Sequence, residues 1–194
     1  MQQKRAVLLH GTSGDPSHGW QPWLKRQLEE RGYDVFAPVL PNNDHPDRDT
    51  YEAFLCESGW DFSDNIIVGH SSGATTALNL LLADWFPKAS AVVLVGTFLN
   101  EKLTKPLGEF PDGLFDGLFL DSYDPKQLAQ KARAFYFVHG SDDPYCDIDD
   151  AKQLCEQVGG TFIEITGGHH LGGASGITEL PQLITALDAD GITS

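Results

Sequence analysis

The chain has 194 residues, an apolar fraction of 41% and a formal net charge of −15. This size and composition predict one globular domain spanning residues 1–194 with its own core, and exclude a disordered chain. The acidic balance weighs against nucleic acid and anionic membrane surfaces as partners, because their phosphates would be repelled.

No apolar run approaches the ~20 residues needed to cross a bilayer. Met1 to Arg5 leads straight into Ala6–Leu9, an apolar run too short for a signal-peptide core and followed by no small-residue cleavage site. A cytoplasmic location is expected. Cys56, Cys146 and Cys155 give neither a disulfide framework nor a zinc-ligand spacing.

Strand-like runs then alternate with helix-like ones. Strands are predicted at Arg5–Leu9, Tyr33–Ala37, Asn65–Val68, Ala91–Val95, Ala134–Val138 and Thr161–Ile165. Most are nearly continuous apolar runs rich in Val, Ile and Phe, as strands buried on both faces of a parallel sheet require. The first helix, Trp20–Arg31, carries Trp20, Trp23, Leu24 and Leu28 on one face, and Gly32 stops it. Asn42 to Asp49 has the composition of a solvated loop, and its acidic residues lack any metal-ligand spacing. A helix-like segment follows the third strand. Asp124-Pro125 reads as an N-cap with proline in the first helical position. Ile148, Ala151, Leu154, Cys155 and Val158 form another apolar face, with Asp147, Asp149 and Asp150 at its start, and Cys155 belongs to the core. The alternation predicts an α/β fold: a doubly wound, mostly parallel six-stranded sheet in the order 2-1-3-4-5-6, flanked by helices. Residues 99–133 form a long connection rich in Gly and Phe, either a short cap over a site or a loop tucking its phenylalanines into the core.

The third strand ends in Gly69-His70-Ser71-Ser72-Gly73, a Gly-x-Ser-x-Gly turn between strand and helix. This is the layout of a nucleophile elbow, in which Ser71 stands on a sharp turn and the two glycines leave room for neighbouring backbone. A serine hydroxyl needs a base, and the base an orienting acid. In this topology they follow in the order acid, then base, at the ends of later strands. Asp142 and Asp143 follow the fifth strand; His169 and His170 follow the sixth. The amide of Ser72 is the expected first oxyanion donor. The loop His10-Gly11-Thr12 after the first strand should supply the second, and His10 is expected to hold that loop by a hydrogen bond. His70 and His139 read as packing or loop residues. Gly11 to Gly14 is too short for a phosphate-binding loop.

The whole set resembles an α/β-hydrolase, and more narrowly the small serine-hydrolase family named after a retinoblastoma-binding protein. The residues carrying the likeness are His10 to Gly14, Trp20 and Trp23, Pro38 to Asn42, Gly69 to Ala74, Gly140 to Pro144, and Gly168-His169. The resemblance implies a minimal hydrolase sheet without an extra N-terminal hairpin. It implies a triad of Ser71, Asp143 and His169, with Thr12 as the second oxyanion amide. His170 is the competitor for the base and Asp142 for the acid. The Leu-x-Cys-x-Glu motif associated with the family's name is missing: Leu55-Cys56-Glu57 and Leu154-Cys155-Glu156 lack the intervening residues, so retinoblastoma binding is not carried over.

The expected activity is cleavage of a small ester, thioester or amide, a small-molecule acyl substrate, with no metal or organic cofactor. The alternative is a weak or inactive hydrolase scaffold that binds another protein. A cysteine-dependent hydrolase using Cys146 is disfavoured, because Cys146 is not on an elbow.

Overall fold

A computed structural model describes residues 3–100 and 111–193. The six strands are β1 (Lys4–Leu9), β2 (Tyr33–Phe36), β3 (Ile66–His70), β4 (Ala91–Val95), β5 (Phe135–Gly140) and β6 (Thr161–Ile165). They pair in parallel throughout, in the order β2-β1-β3-β4-β5-β6. The helices are α1 (Gln21–Glu30), α2 (Arg48–Cys56), α3 (Ser72–Leu82), α4 (Pro125–Lys131), α5 (Ile148–Val158) and α6 (Pro181–Ala189).

Strand periodicity explains the continuous apolar runs, since successive side chains enter opposite layers. Val7, Leu9, Ile67, Val92, Leu94 and Phe137 pack with Leu55, Leu78, Leu81, Leu128 and Leu154 from α2, α3, α4 and α5. Ala6, Leu8, Val68, Val93, Tyr136 and Val138 pack with Leu24 and Leu28 of α1 and Leu183 and Leu187 of α6. Each buried aliphatic side chain contributes about 1.5–3 kcal/mol of transfer free energy, so the central strands are held from both sides.

One stretch differs from expectation. Arg48–Cys56 is a helix, and its first residues fall within the segment read as solvated loop. The Asp47 carboxylate accepts the Thr50 amide at 2.8 Å as its N-cap, while Tyr51 and Leu55 turn inward. Within residues 99–133, the helix expected after Asp124-Pro125 is present. Residues 101–110 lie outside the described residues. Of the rest, α4 is an ordinary sheet-flanking helix capped by Asp124, with Leu128 fully buried. Leu114, Phe115 and Leu118 join Phe98 and Cys146 in a small cluster beside the C-terminal rim of the sheet.

Candidate active site

Parallel strands in one sheet end at a common rim, and β1, β3, β5 and β6 deliver their following loops there. The turn from β3 to α3 is the tightest. Ser71 has φ 56° and ψ −124°, a conformation side chains rarely adopt. Its amide is anchored on the Val95 carbonyl at 2.8 Å. The flanking glycines are required by close approach. A Cβ on Gly69 would lie 2.2 Å from the Gly73 carbonyl oxygen, and one on Gly73 2.3 Å from that of Leu9. Backbone occupies the space a side chain would need, and the Ser71 hydroxyl is turned toward the cavity.

β5 ends at Gly140, and the next turn buries Asp143, whose side chain is 1% exposed. Its Oδ1 accepts the amides of Tyr145 at 2.9 Å and Cys146 at 3.1 Å. Burial by itself would push this carboxyl up. The His170 hydrogen bond and charge, with the two amides, outweigh burial and hold it below the ordinary carboxylate value.

The ring that meets both groups is that of His170. Its Nδ1–H donates to Asp143 Oδ2 at 2.9 Å, and the Ser71 hydroxyl donates to its Nε2 at 2.8 Å. Because a carboxylate can only accept, the Asp143 bond places the hydrogen on Nδ1 and leaves Nε2 as acceptor. The ring of His169, the expected base, does not make these contacts. The His169 ring points outward and pairs with Asp142 Oδ2 at 2.8 Å, both side chains being substantially exposed. The cause lies in the backbone. A Cβ on Gly140 would sit 2.0 Å from the His169 carbonyl oxygen, so the chain at 168–169 is pressed on the end of β5. His169 takes φ 48°, and the next residue swings into the site. Asp142 also accepts the His169 amide at 2.8 Å, so it serves the turn rather than His170.

The β1–α1 loop abuts the elbow. A Cβ on Gly11 would come within 2.9 Å of the Ser71 Cβ, and the Thr12 hydroxyl donates to the Ser72 hydroxyl at 3.0 Å. Thr12 is thereby tied to the first residue of α3, whose dipole has its positive end at the serine. The loop is rigidly held. The Leu40 amide donates to His10 Nε2 at 2.9 Å, while His10 Nδ1–H donates to the Gly11 carbonyl at 2.8 Å. Burial lowers the pKa of His10, in keeping with this neutral tautomer. The Ser13 amide donates to the Asn43 carbonyl at 2.8 Å, and Asn43 Nδ2 donates to the Gly14 carbonyl at 2.8 Å.

Ser71 and His170 open on a cavity of about 680 Å³. Phe98, Phe115, Pro144 and Tyr145 supply an apolar wall, and residues 10–15 line it as well. Sequence reasoning did not assign Phe98 or Tyr145 to the site; only their position one turn beyond β4 and β5 hints at it. Asp143, Cys146 and His170 offer ligand atoms within 4.8 Å of one another. Those atoms are already engaged in hydrogen bonds: the Cys146 thiol donates to the Gly96 carbonyl at 3.1 Å, and burial pushes its pKa well up, away from the thiolate a metal needs.

Known proteins share this fold. A putative hydrolase from Bacillus subtilis (strain 168), YdeN, is 25% identical over 187 residues, covering 95% of this chain and 94% of its own. The crystal structure of the ydeN gene product superposes with a TM-score of 0.81 over 96% of this chain and 97% of that one, at 21% identity. Serine hydrolase RBBP9 from Rattus norvegicus is 21% identical over 86% of each chain. The family model described as serine hydrolase matches residues 6–189, nearly the whole fold from β1 to α6, and the chain belongs to that serine hydrolase family.

Proposed function

We propose that the protein hydrolyses a small ester, thioester or amide through an acyl-serine intermediate, with Ser71 as nucleophile, His170 as base and Asp143 as the acid that orients it. The observation that carries this reading is the unbroken relay from Asp143 through the His170 ring to the Ser71 hydroxyl, with bonds of 2.9 and 2.8 Å.

The steps follow from the relay. As Ser71 Oγ attacks the acyl carbon, its proton passes to His170 Nε2, and Asp143 stabilises the imidazolium. The carbonyl oxygen becomes an oxyanion, received by the amides of Ser72 and Thr12, each typically worth about 3 kcal/mol in the transition state. Collapse expels the leaving group, which takes the proton from Nε2. Water then attacks the acyl-serine with His170 again as base, releasing the acid and restoring Ser71. Ester cleavage is the least demanding version, because an alkoxide leaves more readily than an amine. The apolar wall of Phe98, Phe115 and Tyr145 favours an uncharged apolar group on one side of the scissile bond.

The test is covalent labelling by a fluorophosphonate. Wild type is expected to label, Ser71→Ala not at all, and His170→Ala at least about 1,000-fold more slowly, since the base is lost. His169→Ala should label within about threefold of wild type, because its ring makes an exposed contact with Asp142 and does not reach Ser71. Loss at His169 with retention at His170 would overturn the assignment of the base. Absence of labelling in folded wild type would overturn the activity itself and favour a binding role.

A further inference from the structure

The loop carrying His170 is backbone-strained on both sides of the histidine. His169 has φ 48° and Leu171 φ 53°, left-handed values that non-glycine residues avoid. Two side chains from other elements capture the carbonyls at its crest. His70 Nε2–H donates to the His170 carbonyl at 2.9 Å, and Trp20 Nε1–H donates to the Leu171 carbonyl at 2.9 Å. The two rings meet edge to face, with centroids 5.9 Å apart, and Trp20 is 2% exposed.

The placement of His70 is what matters. It directly precedes Ser71 on the elbow, so one side chain and one hydrogen bond join the nucleophile's own turn to the backbone of the base. This link is independent of the bond between the Ser71 hydroxyl and the His170 ring. Burial, aided by the nearby His170, lowers the His70 pKa to about 3. The His70 ring therefore stays neutral, and adds no second charge beside an imidazole 5.2 Å away, centroid to centroid, when that imidazole takes up a proton.

We propose that His70, backed by Trp20, is a positioning residue that holds the strained His170 turn so that Nε2 stays in register with the Ser71 hydroxyl. This rests on the reading of Ser71 and His170 as nucleophile and base. A positioning role predicts a loss in kcat and in labelling rate, with KM preserved, and rescue by a side chain that still offers an N–H.

The experiment compares His70→Leu, His70→Gln and Trp20→Phe with wild type, using fluorophosphonate labelling and steady-state hydrolysis of a small p-nitrophenyl ester. His70→Leu is expected to slow labelling and kcat by about 10- to 100-fold with KM within about twofold, the scale of a small misplacement of a reacting group. His70→Gln should recover to within about threefold of wild type, and Trp20→Phe should lose kcat by about three- to tenfold. Wild-type kcat in His70→Leu, or no advantage of Gln over Leu, overturns the proposal. So does a rise in KM at unchanged kcat, which would mark His70 as a substrate contact. If His70→Leu does not fold, Trp20→Phe decides, and unchanged kcat there overturns the shared brace. Wild type that fails to label defeats the underlying reading as well. Labelling in wild type and equally fast labelling in His70→Leu defeats only this inference.

Discussion

Asp142 and Asp143 are chemically identical neighbours with opposite surroundings. Asp143 is 1% exposed at its side chain, receives two backbone amides and faces His170; Asp142 is 43% exposed and faces His169. The buried carboxylate sets the tautomer of the ring beside it. In Asp143→Asn the amide NH₂ can turn toward His170 Nδ1, which moves the ring hydrogen to Nε2 and removes the acceptor for the Ser71 proton. On the proposed function, kcat/KM for ester hydrolysis is expected to fall by about 10³- to 10⁴-fold with the fold retained. Asp142→Asn should stay within about threefold, since its Oδ1 can still accept the His169 amide and only an exposed contact with the His169 ring changes. Matching losses in the two variants would show that the acid has been misassigned. The lowered pKa of Asp143 has a consequence of its own: its stabilising contribution is present above the ordinary carboxylate value and is lost as pH falls through the folded-state value.

At the scale of the element, the β3–α3 elbow is a packing constraint. Gly73 lies against the end of β1, and a methyl group there would meet the Leu9 carbonyl at 2.3 Å and the His10 carbonyl at 2.5 Å. Neither is a flexible side-chain end, so β1 and α3 would have to separate. Gly73→Ala is expected to destabilise the protein by about 3 kcal/mol. Gly159 is the useful contrast. It caps α5 at φ 70°, and a Cβ there would have no neighbour within 4 Å, so Gly159→Ala meets only backbone strain, about 1 kcal/mol. Urea melts of the two variants check the ranking. Equal losses would mean that the elbow yields more easily than its distances imply.

The whole molecule buries histidines that the proposed chemistry does not use. His139 is 0% exposed on β5 and stacks on Phe162, with centroids 5.6 Å apart. Its Nε2 accepts the Thr97 amide at 3.2 Å, and burial lowers its pKa to about 4. The sign is definite. The unfolded chain takes up a proton near the ordinary histidine value of about 6.5, whereas the folded chain resists it until about 4, so stability is lost as pH falls through that window. His139 alone should remove about 2 kcal/mol between pH 7.5 and pH 5. His70 and His10, also lowered by burial, act in the same direction. Thermal melts from pH 7.5 to pH 5 should show a falling Tm, with a shallower slope in His139→Gln. An identical slope in that variant would remove His139 from the account. Among the described residues, no helix is long and apolar enough to cross a membrane.

Much of this architecture was legible in the chain alone. Apolar runs buried on both faces, broken by amphipathic stretches, specify a parallel sheet, and the strand order followed from the fold type they resemble. The glycines around Ser71 announced the elbow because they answer a local steric need. The order of serine, acid and base along the chain located three loops at one rim. α2 is not legible in the sequence because its nine residues begin in a proline-broken acidic stretch, and the cap on Asp47 gains meaning only once Tyr51 and Leu55 have a core to enter. The choice between His169 and His170 was beyond any local rule. Adjacent residues in a turn point in unrelated directions, and which one reached Ser71 depended on the backbone of 168–169 pressing on Gly140, a contact made only after β5 and β6 pair. Sequence determined which chemistry arrives at the rim; tertiary packing decided which side chain meets it, because orientation is set by neighbours distant in the chain.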